Sequence, residues 1–519
     1  MRSKKLISKT HNKISNSPVL KGTVILTVTG LITRFIGFYN RIFLNQLIGA
    51  KELGIYQLIF PLYMVVFSLT TMGNELALTK LVSEYIGRND RKNATAFFRL
   101  CFAVNLILGT ICALLLYFNA DFISLRILNA TSCGKCLKLI SVGIPFMALK
   151  GALHGYFLGL EKSEIHGISD FLEQTTKVFG LYIISAYLIN EGHFTASFAV
   201  IGIVLGEIVS FLYSLICITM EFKRQGKNNS PAIHMQTLIR LFFKNALPLT
   251  ANRFSLTVLQ STEAILIPTF LLKYYNDSAL SLTIYGTFTG MAFPFIMFPA
   301  TLTNSLSTML LPAVSKAGSE LKTDYLKSLT ERSIRFCLMV GLFSGITFYI
   351  FGNTMGNMFF NNQEAGIFLY QLSFLCPLIY LATTLASILN GLGFASHNLF
   401  LTIISTGIRL AFIIFTIPKI GITGYAVGLF VSYLFLTFAS LAKLKGNVCF
   451  ELKFQRDIIS PLIFFAATGF ISFIVYDKTI SSIIAPLKIP FLLLIIVVYS
   501  GICFLTYGMS LLFPVTGKR

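Results

Sequence analysis

Apolar runs of about 20 residues recur along nearly the whole of this 519-residue chain, separated by short polar connections. That recurrence constrains the fold more than any other feature. A helix of about 20 residues crosses the hydrocarbon core of a bilayer, and a spanning segment must satisfy its own backbone hydrogen bonds. With 55% of residues hydrophobic and only 12% charged, little chain is left for a soluble domain. The sequence therefore predicts an all-α polytopic membrane protein. Fourteen spans are expected, the first at about 20–47 and the last at about 489–513. An even count places both termini on one side. The loops on that side carry about 26 Lys and Arg against about 8 on the other, so the positive-inside rule predicts cytoplasmic termini.

The formal net charge of +21 lies mostly in those loops, where it orients the chain, and no nucleic-acid partner is expected. The basic start, "MRSKKLISKTHNK", leads into a run of about 28 residues without a small-x-small cleavage site, so a retained first span is expected. Of nine cysteines, six fall in apolar spans and behave as small hydrophobes. Cys133 and Cys136, in "CGKC", are read as part of an ordinary outside loop in preference to a surface disulfide or a transient metal site. The six histidines form no ligand-spaced cluster, and no nucleotide-binding or nucleophile motif occurs. Neither catalysis nor a resident metal or cofactor is expected.

Two internal correspondences point to a duplication. "IYQLIFPLY" at Ile55 aligns with "IYGTFTGMAFPF" at Ile284, and the segments around Gly159 and Gly391 align at an offset of 232, which superposes Lys177 on Arg409. "TRF" and "NRF" superpose Arg34 on Arg253. The expected organisation is an N-lobe of six spans (1–220), a cytoplasmic linker (221–244), a C-lobe of six spans (245–442) and two C-terminal helices (443–519).

Charges inside the spans are the candidate functional residues. An arginine at the middle of a bilayer costs about 2.5 to 3.5 kcal/mol on insertion scales, so it is normally paired or turned toward an aqueous cavity. Arg34 and Arg41, seven residues apart, share one helix face, and Asn40 adds a side-chain amide to the same helix. Asp170, Glu173 and Lys177 share a face of the fifth span, where the acids can pair the lysine. Arg34, Arg41, Lys177, Arg253 and Arg409, with Asn40, form the expected substrate-binding set; Glu75, Asp170, Glu173 and Glu263 are expected to pair charge or bind a coupling ion. A surplus of guanidinium suits an anion with several acceptor oxygens, phosphate or pyrophosphate first.

Residues 21–63, "KGTVILTVTGLITRFIGFYNRIFLNQLIGAKELGIYQLIFPLY", and 285–317, "YGTFTGMAFPFIMFPATLTNSLSTMLLPAVSKA", resemble the stage V sporulation protein B group of the polysaccharide-transport family. That family lies in the superfamily of multidrug, oligosaccharidyl-lipid and polysaccharide flippases, with the lipid II flippases and the multidrug and toxin extrusion transporters. The resemblance implies two six-helix lobes about a central cavity, a role in cell-wall synthesis or sporulation, and a place in the bacterial cell membrane. It also implies alternating-access export of an undecaprenyl-pyrophosphate-linked saccharide, with cavity arginines on the pyrophosphate and the last two helices forming a groove for the lipid tail. Arg34 matches the first arginine of the flippase pattern, whereas Asn40 stands where that pattern has arginine and Arg41 follows one residue late. Membrane lipids and cell-wall synthesis enzymes are the implied partners of a monomer driven by H+, Na+ or the membrane potential. Two other readings compete: a cation-coupled multidrug exporter of the same fold, whose cavity would favour carboxylates, and a membrane-bound glycan polymerase, which would need a larger outer loop with candidate acids.

Overall fold

The computed structural model describes residues 18–187, 194–224, 233–320, 322–480 and 488–503. Every regular element among them is helical, and the protein is a multi-pass all-α membrane protein. The chain divides into two compact units, Met1–Ile265 and Leu266–Arg519.

The first unit contains α1 (Pro18–Phe67), α2 (Gly73–Gly87), α3 (Arg91–Phe118), α4 (Cys133–Gly159), α5 (Ser163–Tyr187), α6 (Ala196–Arg224) and most of α7 (Met235–Tyr275). Helix α1 is two helices joined at Gly49, whose φ of 75° lies in the left-handed region that a residue with a Cβ rarely adopts. Five residues of π-helix, Ser68–Met72, then rephase the chain before α2. The core of this unit sits among α2, α3, α4 and α6, where Leu78, Phe97, Phe157 and Phe211 pack with Phe242 of α7. Through that contact most of α7 belongs to the first unit; the sequence reading has residues 235–244 in the linker and the rest of this helix in the C-lobe.

The second unit continues with α8 (Ser278–Gly286), α9 (Ala300–Ser319), α10 (Thr323–Phe360), α11 (Gln363–Leu372), α12 (Cys376–Gly391), α13 (Ala395–Phe415), α14 (Ile422–Lys445), α15 (Ser460–Ile480) and α16 (Lys488–Cys503). Its core is formed by α9, α10, α12 and α14 through Val314, Cys337, Leu385, Ile388 and Leu444. A π-helical segment, Thr287–Ala292, follows α8, and a break at Phe298–Pro299 precedes α9.

Backbone landmarks repeat between the units. Left-handed residues Asn129 and Asn361 are 232 apart in sequence, as are Glu161 and Gly393; Gly49 and Asn276 are 227 apart. Helices α3 and α10 start 232 residues apart, and so do α5 and α13. The left-handed turns use Asn or Gly in five of these six places, the residues for which that conformation is least costly. The structure thus carries the internal repeat in its turns, where sequence identity is sparse.

Eleven segments of the described residues are long and apolar enough to cross a membrane, against the expected fourteen. The differences are local. The two halves of α1 run together with α2, α5 carries Glu164, Asp170, Glu173 and Lys177, and α16 has 16 residues. Rows of exposed apolar side chains, such as Ile107, Ile111, Leu114 and Phe118 of α3 and Ile463, Phe470 and Ile471 of α15, provide the surface that a bilayer covers.

Candidate functional site

Two glycine-spaced interfaces bring the charged helices of the first unit together. On α6, Gly202 and Gly206 form a G-x-x-x-G face against α5. A Cβ at Gly206 would stand 2.9 Å from the Glu173 carbonyl oxygen and 3.0 Å from Lys177 Cγ, so only glycine lets the backbones approach this closely. On α4, Gly151 and Gly155 serve α2 in the same way: a Cβ at Gly155 would lie 2.8 Å from the Glu75 carbonyl oxygen.

The first interface sets an ion-pair network among four helices. Lys150 of α4 donates to Glu173 of α5 at 2.5 Å and also lies 2.6 Å from Glu207 of α6. Glu173 accepts from Lys177, one turn along α5, at 2.5 Å. The hydroxyl of Tyr63, on α1, donates to Glu207 at 2.7 Å. Two ammonium and two carboxylate groups cancel, and every carboxylate is hydrogen-bonded, the condition under which buried ions are tolerated.

Lys177 is therefore neutralised by Glu173, and Asp170 is not its partner. Asp170 faces His166, with its Oδ2 3.3 Å from His166 Nδ1, and Glu75 lies on the other side of that ring at 4.0 Å. Arg41, half-buried on α1, and Lys177 each lie in electrostatic range of the buried Tyr56. Asn40 is 7% exposed, and its Oδ1 is a buried acceptor without a hydrogen-bond partner.

Arg34 and Arg253 have exposed side chains, and among the described residues neither they nor Arg41 forms an ion pair. An apolar cleft of about 630 Å³ lies between α1 and α5, lined by Ile32, Phe35, Tyr39 and Phe179 among others; Arg34 is not among its lining residues. Glu263 is buried on α7. In the second unit, Arg409 of α13 donates to Thr406 Oγ1 at 3.0 Å and lies over the Tyr433 ring at 5.7 Å.

The sequence reading left Lys150, Glu207 and Tyr63 out of the site. The available signal was the G-x-x-x-G of α6 ending one residue before Glu207, which marks a close helix contact next to a buried acid. It also missed His154 and His166, which lie on different helices and show no motif in sequence. Cys133 and Cys136 are corrected: they belong to the first turn of α4 and not to a loop. Both are buried free thiols, with Cys136 Sγ 3.5 Å from Ser197 Oγ.

The chain is 26% identical over 466 residues to stage V sporulation protein B of Bacillus subtilis (strain 168), covering 87% of this chain and 88% of that protein. A shorter match, 23% over 217 residues, covers 38% of this chain and 39% of the lipid II flippase MurJ of the same organism. The fold is similar to that of a lipid II flippase MurJ in an inward closed conformation, with TM-score 0.66, 16% identity and coverage of 93% and 99% of the two chains. It is also similar to an inward-facing multidrug resistance transporter of the MATE family, with TM-score 0.60, 14% identity and coverage of 82% and 98%. The model of the family described as polysaccharide biosynthesis protein matches residues 19–318, and the chain belongs to that family.

Proposed function

We propose that this protein is a flippase that moves an undecaprenyl-pyrophosphate-linked saccharide, a peptidoglycan precursor or related wall unit, across the bacterial cell membrane by alternating access. The carrying observation is a contrast among the cations. Lys150 and Lys177 are closed into a neutral network with Glu173 and Glu207, whereas among the described residues Arg34, Arg41 and Arg253 form no ion pair. Unpaired guanidinium is costly in a bilayer and is repaid by a ligand that brings negative charge. A pyrophosphate does so through several charge-assisted hydrogen bonds, which guanidinium forks match. In this reading Arg34, Arg41 and Arg253 hold the diphosphate, the Asn40 amide and Arg409 add polar contacts, and Lys177 tunes the field beside Arg41.

The tail has its own support. An apolar groove of about 560 Å³ lies in the second unit between α10, α12 and α15, lined by Leu342, Ile346, Tyr349, Pro377, Ala466 and Phe470 among others. A polyprenyl chain can remain there while the saccharide crosses in polar surroundings, which avoids stripping water from the sugar. One curated relative and the structural neighbours are named flippases or transporters, and no covalent step is needed for this task. The lobes would be the two six-span repeats, with α15 and α16 as the appendage and both termini in the cytoplasm.

The direct test is binding of a labelled undecaprenyl-pyrophosphate saccharide to purified protein in nanodiscs. Displacement by the unlabelled lipid and not by an uncharged polyprenol, with at least tenfold weaker binding in an Arg34→Ala, Arg253→Ala variant, supports the reading. Equal competition by the uncharged lipid contradicts it. A cationic drug as preferred ligand would favour the multidrug alternative.

A further inference from the structure

Beside the ion-pair network lies a second cluster that the flippase reading does not use. His154 is on α4, Glu75 on α2, and His166 and Asp170 on α5. One ligand atom each from Glu75, His154 and His166 all lie within 4.8 Å of one another. The two rings stack at a centroid distance of 4.2 Å.

Three features show that this cluster is built. The Ser68–Met72 π-helical segment sets the phase of α2 just before Glu75, and such segments often occur at functional sites. Gly151 and Gly155 clear the space for that approach: a Cβ at Gly151 would stand 2.0 Å from Thr71 Cγ2 and 3.7 Å from Glu75 Oε2. His154 is held from behind by a hydrogen bond, and Asp170 lies beside His166. His154 Nε2 is 3.0 Å from Ser169 Oγ, which bonds in turn to Ser210 Oγ at 2.6 Å and Ser214 Oγ at 3.0 Å. His166 Nδ1 faces Asp170, leaving Nε2 toward Glu75.

The charges define the ligand. The Lys150, Lys177, Glu173 and Glu207 network is closed, so Glu75 and Asp170 add two carboxylates balanced by no lysine or arginine in the network. With neutral imidazoles, a divalent cation balances them. Two imidazole nitrogens and one carboxylate form a zinc-type donor set, and a carboxylate behind the ligating histidine is its usual support. Zinc ligands at about 2.0 to 2.1 Å stand roughly 3.4 Å apart, and the three ligand atoms here lie within 4.8 Å of one another, so binding would draw them together by up to about 1.4 Å. We propose that Glu75, His154 and His166 bind a divalent transition cation of the zinc class, oriented by Asp170 and Ser169, that straps α2 to α4 and α5.

The test uses full-length, untagged protein stripped with chelator and titrated with Co2+, then Zn2+. The expected result is one Co2+ per chain with the visible d–d bands of tetrahedral nitrogen and oxygen ligation, displaced by Zn2+. Asp170→Asn should weaken binding about 10- to 100-fold. His166→Asn and Glu75→Gln should abolish it, while a Cys133→Ser, Cys136→Ser variant should retain it. No saturable binding by the wild type overturns the proposal, leaving His166 as a site for protons alone. Thiolate-to-cobalt charge-transfer bands that vanish in the cysteine variant would also overturn it. The wild-type spectrum decides between these outcomes even if a histidine variant fails to fold.

Discussion

Lys177 on α5 and Arg409 on α13 occupy equivalent places in the internal repeat, 232 residues apart, yet their surroundings differ: Lys177 is bridged to Glu173, whereas Arg409 lies over the Tyr433 ring with Thr406 as a hydrogen-bond acceptor. The same helical position thus carries a cation in both units, with different partners. A lysine offers a compact charge that a carboxylate can cap, whereas a guanidinium can stack on an aromatic face and keep donors for a further ligand.

The Glu173 partnership predicts a specific pattern of rescue. Lys177→Glu places a second carboxylate beside Glu173, and transport should fall at least tenfold. Adding Glu173→Gln should restore part of it, because the like-charge contact is removed. Adding Asp170→Asn should not, since Asp170 faces His166. Equal rescue by both changes, measured as initial flipping rates in vesicles, would show that the pairing is not selective.

Breaking the network from its centre should cost stability. Lys150→Met leaves Glu173 and Glu207 buried without their shared cation, and the loss of one partner from a buried pair costs about 3 to 5 kcal/mol. The combination with Glu207→Gln should recover much of the loss. Thermal unfolding in detergent, followed at constant protein and lipid concentration, checks both.

Gly206→Ala should destabilise the first unit by about 1 to 3 kcal/mol, because its Cβ would press on the Glu173 carbonyl and the Lys177 stem. Gly407→Ala is the control: nothing lies within 4 Å of the position its Cβ would take, and the helix should tolerate it. An equal effect of the two changes in the same unfolding assay would remove the close-contact explanation.

Much of the architecture was legible because bilayer spanning imposes length and polarity on each helix. The pairing of Lys177 within its own helix was legible in part: Glu173, four residues away, is a neighbour, but the spacing alone also left Asp170 open as a partner. Lys150 with Glu207, and Glu75 with His166, join different helices, and no local spacing records them. Their meeting depends on glycines at 151, 155, 202 and 206, whose effect is visible only once the neighbouring helix is in place. Asn129, Asn361 and Gly393 carried the repeat in their backbone conformation, yet one shared residue type at a turn is too little to find by alignment.

Arg34→Ala and Arg253→Ala should each abolish transport while leaving insertion and thermal stability near wild type, because among the described residues neither side chain forms an ion pair whose loss would strand a charge. Arg34→Lys should retain part of the rate, as the charge survives without the bidentate fork. The decisive measurement is reconstitution of purified protein into vesicles with a labelled undecaprenyl-pyrophosphate saccharide, in parallel with a cationic dye. The account predicts that the saccharide lipid is translocated, that the dye is not, and that Arg34→Ala stops the translocation. Dye export with an immobile saccharide lipid, or undiminished flipping in Arg34→Ala and Arg253→Ala, would contradict it.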